Sequence, residues 1–309
     1  MARGIGHPTK AMFAAAGVLA GLASAVSAQV SGDLAGREWI TAAVEATGLS
    51  HRTFHSAAVG RAVSYHIYRP EAYGAERDRP FPVLYWLHGS GGGLGGLPQL
   101  AGHFGTAMRE GKIPPMLVVF PNGLDQSFWM DSKDGTVPME TVLMDELVPH
   151  VDATYHTIAS REGRIVEGFS MGGYGAARLG FKHNATFGAM SILAGGPLQR
   201  EFTETPRASE EARERVLRNV FGGEHAYFRE QSPWMLAEEN ADDLRGGTRI
   251  RLVIGDRDEM LQVVRDFHSH LTDLAISHDF IELPGVGHIA PQILNALGED
   301  AWEFYRPQG

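Results

Sequence analysis

The sequence predicts an α/β fold in which a mostly parallel central sheet carries helices on both faces. Continuous apolar runs, typical of strands buried on both faces, recur at residues 81–87, 116–120, 164–169, 188–193, 250–254 and 280–283. Helical patterns separate most of these runs, at residues 97–110, 139–155, 172–181, 261–274 and 291–305. Strands that alternate with helices in this way favour a parallel sheet with right-handed connections.

Two stretches depart from this alternation. Residues 52–57 and 62–68 alternate in polarity, which predicts an antiparallel hairpin at the start of the domain. Residues 197–247 lie between two predicted strands, are rich in charge and include a helical pattern at 209–220. We interpret them as an insertion that is either a lid or pocket wall or a solvated surface elaboration. Trp234 within it is a candidate for substrate contact or for a buried anchor.

The first 28 residues have the pattern of an export signal. Arg3 and Lys10 precede an apolar run that ends in Val-Ser-Ala at residues 26–28, and small residues at these positions suit signal peptidase. The run is short for a membrane span, although a retained anchor is the alternative. We therefore expect cleavage after residue 28, a secreted or periplasmic protein without stable membrane insertion, and one catalytic domain over residues 29–309.

The composition excludes several classes of function. The formal charge is −10, and removal of residues 1–28 would change it to −12 because Arg3 and Lys10 are the charged residues there. No basic cluster is visible, which argues against a nucleic-acid partner, because such binding depends on Lys and Arg. The chain has no cysteine, so disulfides, thiolate metal sites and a cysteine nucleophile are excluded.

The segment Gly168-Phe-Ser-Met-Gly172 matches the G-x-S-x-G nucleophile elbow. It stands directly after an apolar strand and directly before a helical pattern, which is the context that this motif requires. A sharp turn at that point exposes the serine hydroxyl and leaves room only for glycine at neighbouring positions. The helix start directs free backbone N–H groups toward charge that develops on a substrate. We predict Ser170 as the nucleophile and the Met171 amide as one oxyanion donor.

A base and an acid for this serine are predicted in two downstream loops. His288 follows the last apolar strand and is flanked by Gly285 and Gly287, which let the loop position an imidazole. The loop after residues 250–254 offers Asp256 and Asp258, and the order Ser, Asp, His is the one that α/β-hydrolases use. Asp258 is the preferred acid. Asp256 remains the alternative, although the adjacent arginine could instead make it part of a local ion pair.

The second oxyanion donor is predicted in the glycine-rich segment at residues 88–93, His-Gly-Ser-Gly-Gly-Gly. This segment follows an apolar strand and corresponds to the His-Gly-Gly type of oxyanion loop, which makes the Ser90 amide the candidate. His88 is either a second imidazole near the substrate or a brace for the loop. The brace is the favoured interpretation.

Together these motifs resemble the esterase family that contains esterase D, feruloyl and acetyl-xylan esterases, enterochelin esterases and the mycolyltransferases. The resemblance extends from about residue 52 to residue 305 and implies the α/β-hydrolase fold. It places Ser170, Asp258 and His288 at the positions of the family's catalytic triad. The oxyanion positions fall on the two amides already named. The segment at residues 121–131 is similar to a family loop that borders the active site, so Trp129 is a candidate for substrate contact or for packing.

The resemblance implies a secreted serine carboxylic-ester hydrolase that works through an acyl-enzyme. Acylated sugars and phenolic esters, such as acetyl or feruloyl esters, are the expected substrates, and no metal or cofactor is called for. An acyltransferase of the mycolyltransferase type on the same triad is the nearest alternative. A non-catalytic domain that kept the hydrolase fold is the other.

Overall fold

A computed structural model describes residues 38–76, 79–203 and 207–306. The predicted export signal at residues 1–28 lies outside the described residues. In the described part, eight strands form one sheet in the order β1-β2-β4-β3-β5-β6-β7-β8. They are β1 (Leu49–Ser56), β2 (Arg61–Tyr68), β3 (Val83–Leu87), β4 (Leu117–Pro121), β5 (Arg164–Phe169), β6 (Ala189–Leu193), β7 (Arg249–Gly255) and β8 (Asp279–Leu283).

The sheet is antiparallel at one edge and parallel elsewhere. Strands β1 and β2 form the predicted hairpin, and β2 also pairs with β4 in the antiparallel sense. All pairings from β4 through β3, β5, β6 and β7 to β8 are parallel. Every residue of β3, β4 and β6 is buried, as expected of strands that helices cover on both faces. The carboxyl ends of the parallel strands therefore meet at one edge of the sheet.

The helices follow the strands in the predicted alternation. In the described residues they are α1 (Ala72–Ala75), α2 (Leu97–Arg109), α3 (Met139–Thr141), α4 (Val148–Thr154), α5 (Met171–Lys182), α6 (Glu210–Phe221), α7 (His225–Glu230), α8 (Pro233–Glu239), α9 (Ala241–Arg245), α10 (Leu261–Asp273) and α11 (Ala290–Ala296). One π-helical segment, Val142–Leu147, joins α3 to α4. None of the helices in this part of the chain is long and apolar enough to cross a membrane.

The final helix differs from the prediction of one helix over residues 291–305. Helix α11 ends at Ala296, and a separate 3₁₀ helix covers Glu299–Tyr305. Gly298 between them has φ 75° and ψ −174°, a conformation that interrupts a helix and that glycine adopts without steric cost. The prediction of one helix was wrong because the helical periodicity of the sequence continues past Gly298, where the helix is interrupted.

The insertion at residues 197–247 contains the four helices α6 to α9 between β6 and β7. Helix α6 begins after Ser209, whose hydroxyl accepts a hydrogen bond from the Ala212 N–H, and ends at Gly222 with φ 65°. Helix α8 begins in the same manner after Ser232, with Pro233 at its first position. Helix α8 packs against α5, the helix that follows Ser170. The insertion thus lies beside the segment that carries the predicted nucleophile.

Candidate active site

Ser170 occupies the turn between β5 and α5 with an unusual backbone conformation. Its φ is 58° and its ψ is −118°, a region that side-chain-bearing residues rarely adopt. The Ser170 N–H donates to the Leu193 carbonyl at 3.0 Å, and its own carbonyl accepts from the Gly196 N–H at 3.1 Å. These two bonds tie the turn to the end of β6. The neighbouring strand therefore holds the serine in its strained position.

Glycine is required on both sides of this serine because other chain segments approach the turn closely. A Cβ at Gly172 would lie 1.9 Å from the Leu87 carbonyl oxygen, and one at Gly168 would lie 2.1 Å from the Gly172 carbonyl oxygen. Backbone atoms at such distances cannot move aside without displacing a strand. The glycines of the G-x-S-x-G pattern thus allow β3, β5 and α5 to meet at the serine.

Ser170, His288 and Asp258 form one chain of hydrogen bonds. The Ser170 Oγ lies 2.9 Å from His288 Nε2, and His288 Nδ1 lies 2.7 Å from Asp258 Oδ2. The other oxygen of Asp258 accepts a hydrogen bond from the Met260 N–H at 2.9 Å, which fixes the carboxylate. Asp258 is buried, with 4% of its surface exposed. The structure therefore brings together the three residues that the sequence predicted as a triad.

The two aspartates of the acid loop have different contacts. The Oδ1 of Asp256 accepts a hydrogen bond from the Gly285 N–H at 2.7 Å, and no hydrogen bond among the described residues joins Asp256 to His288. Asp256 thus connects the loop after β7 to the loop that carries the histidine. Of the two candidates that the sequence left open, Asp258 is the one that contacts the imidazole.

The predicted oxyanion donors lie at the start of α5 and on the glycine-rich loop, and these two segments meet at the serine. Met171 is the first residue of α5, and a Cβ at Gly89 would lie 3.2 Å from the Ser170 Cβ, so the glycine-rich loop touches the nucleophile turn. Within the described residues, neither the Met171 N–H nor the Ser90 N–H has a backbone acceptor outside regular helices and strands. Two amides near a serine hydroxyl suit an oxygen that gains negative charge.

A cavity of about 610 Å³ opens beside Ser170 and His288. Ser90 also lines it. The other lining residues are mostly apolar and come from the strand ends, the loop at 121–131 and the insertion: Gly89, Gln126, Phe128, Phe169, Gly196, Pro197, Phe202, Arg207, Ala208, Ser209, Ala212, Arg213, Val216 and Met260. Pro197, Phe202 and several residues between Arg207 and Val216 of the insertion therefore form part of the cavity wall.

Comparison with known proteins identifies the family. The model of the family described as "Putative esterase" matches residues 56–279. The chain belongs to this esterase family. The match includes Ser170 and Asp258, while His288 lies beyond its end.

Two curated relatives match this chain over part of their own length. The chain is 33% identical over 165 residues to an endo-1,4-beta-xylanase/feruloyl esterase of Xylanibacter ruminicola, and this covers 50% of the chain and 23% of the relative. It is 29% identical over 263 residues to an esterase of Mycobacterium tuberculosis, which covers 76% of the chain and 54% of the relative. The chain thus spans from about a quarter to about half of the length of these relatives.

A solved structure with the same architecture is that of a ferulic acid esterase. It superimposes with a TM-score of 0.71 at 19% sequence identity, over 83% of this chain and 96% of that one. The likeness confirms the predicted α/β-hydrolase fold, with its mostly parallel sheet and surrounding helices.

His88 braces the glycine-rich loop and does not line the cavity. Its Nε2 accepts a hydrogen bond from the Gly123 N–H at 3.0 Å, so the proton of a neutral ring lies on Nδ1, which donates to the Gly89 carbonyl at 2.8 Å. Burial lowers the pKa of His88, which favours this neutral form. These bonds fit the favoured bracing interpretation, and contact of His88 with substrate stays a prediction.

Trp129 and Trp234 also lie outside the cavity lining. Trp129 is fully buried, and its indole N–H donates to the His88 carbonyl at 3.2 Å. Trp234 donates to the Leu198 carbonyl at 2.5 Å and stacks on His270, with ring centroids 4.2 Å apart. Both side chains make packing contacts, which fits the packing alternative for each, and their contact with substrate stays a prediction.

Sequence reasoning missed the residues that do line the cavity from the insertion. Phe202 precedes α6, while Ala212, Arg213 and Val216 share one face of this helix through their three- and four-residue spacing. That spacing was visible in the sequence as a helical pattern. It did not reveal which structure the helix faces, because that depends on contacts between distant segments.

Proposed function

We propose that the protein is a serine carboxylic-ester hydrolase that forms an acyl-enzyme on Ser170. The observation that carries the proposal is the chain of hydrogen bonds from Asp258 through His288 to the serine hydroxyl, beside a cavity. A serine hydroxyl becomes an effective nucleophile when a positioned base takes its proton and a carboxylate fixes the tautomer of that base. Membership of the esterase family supports the same reaction class.

In the proposed reaction, His288 Nε2 takes the hydroxyl proton as the Ser170 Oγ attacks the ester carbonyl. Asp258 accepts the hydrogen bond from Nδ1–H and stabilises the imidazolium that forms. The amides of Met171 and Ser90 donate to the oxyanion of the tetrahedral intermediate. His288 then protonates the leaving alcohol, and afterwards it activates the water that releases the acid from the serine. These steps require no cofactor.

We infer that the substrates are acylated sugars or phenolic esters, such as acetyl or feruloyl esters. The side chains of Phe128, Phe169 and Phe202 line the cavity and offer apolar surface to an aromatic acyl group. The feruloyl esterase named among the relatives supports the same class. An acylated sugar would place its polar half toward the open side of the cavity.

The proposal is tested by hydrolysis of 4-nitrophenyl acetate, 4-nitrophenyl butyrate and methyl ferulate by the full chain and by Ser170→Ala. We expect the variant to lose activity by about 10³-fold or more, because the nucleophile acts as a unit with its base. A fluorophosphonate probe should label the wild type and not the variant. Hydrolysis that persists unchanged in a folded Ser170→Ala protein would exclude the proposed mechanism.

The acyltransferase alternative is separated by product analysis. Reactions with and without an added sugar acceptor should both yield the free acid as the main product if the protein is a hydrolase. Transfer product that dominates at modest acceptor concentration would assign the protein to the acyltransferases.

We also propose that the protein is exported, on the basis of the pattern at residues 1–28. N-terminal sequencing of the protein recovered from the medium or periplasm should then begin at Gln29. A full-length chain confined to the cytoplasm would contradict this proposal.

A further inference from the structure

The cavity beside Ser170 differs in charge from the rest of the protein. The formal charge of the chain is −10. Among the described residues, the charged side chains that line the cavity are Arg207 and Arg213, and no aspartate or glutamate is among the lining residues. The two acidic residues in the first turn of α6, Glu210 and Glu211, are exposed and do not line it. An acidic protein thus presents a basic surface to its substrate.

The two arginines differ in how far their charge is already neutralised. Arg207 donates to the carboxylate of Glu259 at 2.7 Å, so its charge has a partner within the protein. Arg213 donates from Nη1 to the Ala208 carbonyl at 3.1 Å. No ion pair found in the described part of the chain includes Arg213. Since a guanidinium has five N–H donors, Arg213 retains both its charge and further donors.

Arg213 is held in place by the helix that forms the cavity wall. It is half-buried and lies on the same face of α6 as Ala212 and Val216, which line the cavity with it. Its bond to the Ala208 carbonyl fixes the guanidinium near the start of the helix. A preorganised guanidinium beside apolar surface binds a carboxylate more strongly than one in open water.

We propose that Arg213 selects esters whose acyl or alcohol half carries a carboxylate. The inference rests on the proposed function, because it concerns the substrate of the same serine. Apolar side chains of the cavity, such as Phe202 and Met260, pack against the uncharged part of the substrate. Arg213 forms a charge-assisted hydrogen bond with its anionic group. This residue is thus a specificity determinant on the substrate side of the insertion.

The test compares anionic esters with neutral esters of similar shape. One pair, 4-nitrophenyl hydrogen succinate and 4-nitrophenyl methyl succinate, places the carboxylate on the acyl half. The other pair, 4-acetoxybenzoate and its methyl ester, places it on the alcohol half. The ratio of kcat/KM between the anionic and the neutral member is measured for the wild type and for Arg213→Gln. Arg215→Gln is the control, since Arg215 lies on the same helix but is exposed and does not line the cavity.

We expect Arg213→Gln to lower this ratio by about tenfold for at least one pair, as one charge-assisted hydrogen bond is lost. The neutral members are the reference for this ratio, and Arg215→Gln should leave the ratio as in the wild type. A ratio that Arg213→Gln does not alter overturns the inference. An equal fall in the control variant also overturns it, because long-range attraction by net charge would then be the cause.

A binding measurement separates this inference from the proposed function. In the Ser170→Ala background, calorimetry should show that the same anionic esters bind about tenfold more weakly when Arg213 is changed to Gln. If the wild type hydrolyses none of the esters, anionic or neutral, while this difference in binding persists, the hydrolase proposal fails and the anion site stands. If neutral esters are hydrolysed and the difference is absent, the anion site fails and the hydrolase proposal stands.

Discussion

At the scale of single residues, the two aspartates after β7 perform different tasks. Asp258 accepts a hydrogen bond from His288 Nδ1 at 2.7 Å, whereas Asp256 accepts one from the backbone N–H of Gly285 at 2.7 Å. The first contact sets the tautomer of the predicted base, and the second sets the path of the loop that carries it. Their substitutions should therefore affect different properties of the protein.

Asp258→Asn should lower kcat for 4-nitrophenyl acetate by about 10³- to 10⁴-fold, because an amide favours the wrong imidazole tautomer and does not stabilise the imidazolium. Asp256→Asn is the matched control, since its amide oxygen can still accept from the Gly285 N–H. We expect this second variant to stay within about tenfold of the wild type. Steady-state kinetics on both proteins tests the assignment, and the reverse order of effects would assign Asp256 as the acid.

At the scale of secondary-structure elements, helix α5 is fixed from behind by a buried carboxylate. Glu140 lies in the short helix α3. It accepts hydrogen bonds from Arg178 and His183 and forms an ion pair with Lys182. Arg178 also donates to Gln231 at 2.6 Å, which joins the cluster to the insertion. Burial alone would raise the pKa of Glu140, but the hydrogen bonds from His183 and Lys182 and the charge of Arg178 hold this pKa well below its ordinary value.

Glu140→Gln should lower the free energy of unfolding at pH 7 by about 3 kcal/mol, because it leaves a buried guanidinium without a counter-charge. Since the folded-state pKa of Glu140 is depressed, its stabilisation is present above the unfolded pKa of about 4.3 and is lost as the pH falls toward the folded pKa. The difference from the wild type should therefore shrink below about pH 4. Urea denaturation of both proteins at several pH values measures this difference in the free energy of unfolding.

The control for this variant is Glu214→Gln, which removes the carboxylate from an exposed pair with Arg218 on helix α6. Solvent screens that pair, so stability should change little at any pH. Equal destabilisation by both substitutions would show that the buried cluster contributes no more to stability than the exposed ion pair does.

The turn from β5 into α5 depends on close backbone packing. Gly172→Ala would place a methyl group 1.9 Å from the Leu87 carbonyl oxygen. We expect a loss of about 3 kcal/mol or more, since a strand must shift to make room. Gly102→Ala in α2 is the control, because a Cβ there meets nothing within 4 Å. It should stabilise the protein by up to about 1 kcal/mol. Thermal denaturation compares the stability of the two variants. A stable, active Gly172→Ala protein would contradict the close approach of Gly172 to the Leu87 carbonyl.

At the scale of the whole molecule, a buried polar cluster attaches the C-terminal 3₁₀ helix to the sheet. Arg251 of β7 donates to Glu167 of β5 at 2.9 Å and to the Tyr305 hydroxyl at 3.0 Å. The Tyr305 hydroxyl in turn donates to Glu167 at 2.9 Å. All three side chains are nearly inaccessible to solvent. Glu167 precedes Ser170 by three residues, so this cluster supports the strand that ends at the predicted nucleophile.

Tyr305→Phe should lower the free energy of unfolding by about 1 to 3 kcal/mol, because a buried charged pair loses a hydrogen-bond partner that water cannot replace. Tyr73→Phe is the control, since its hydroxyl accepts a long, exposed hydrogen bond from the His156 N–H. Chemical denaturation of both proteins gives the comparison. Equal stability of Tyr305→Phe and the wild type would show that the hydroxyl contributes nothing to the cluster.

Much of the fold and of the site could be predicted from the sequence because the signals are local. The apolar runs of β3 to β7 and the pattern of α5 follow from the periodicity of neighbouring residues. The motif around Ser170 combines a strand, a turn and a helix within a few residues, so its context can be checked in the sequence itself. The break at Gly298 was missed because periodicity alone continues across it.

Only the tertiary structure decided which side chains meet between distant loops. The sequence preferred Asp258 and left Asp256 as the alternative, and the hydrogen bond between His288 and Asp258 distinguishes the two. The acid loop and the histidine loop meet there, where the Arg257 N–H donates to the Val286 carbonyl at 3.0 Å. In the same way, the burial of Trp129 and the position of Arg213 on the cavity wall depend on how α5 and the insertion pack. A motif of adjacent residues can be recognised in the sequence alone. Which side chains contact each other across distant loops depends on how segments far apart in the chain pack.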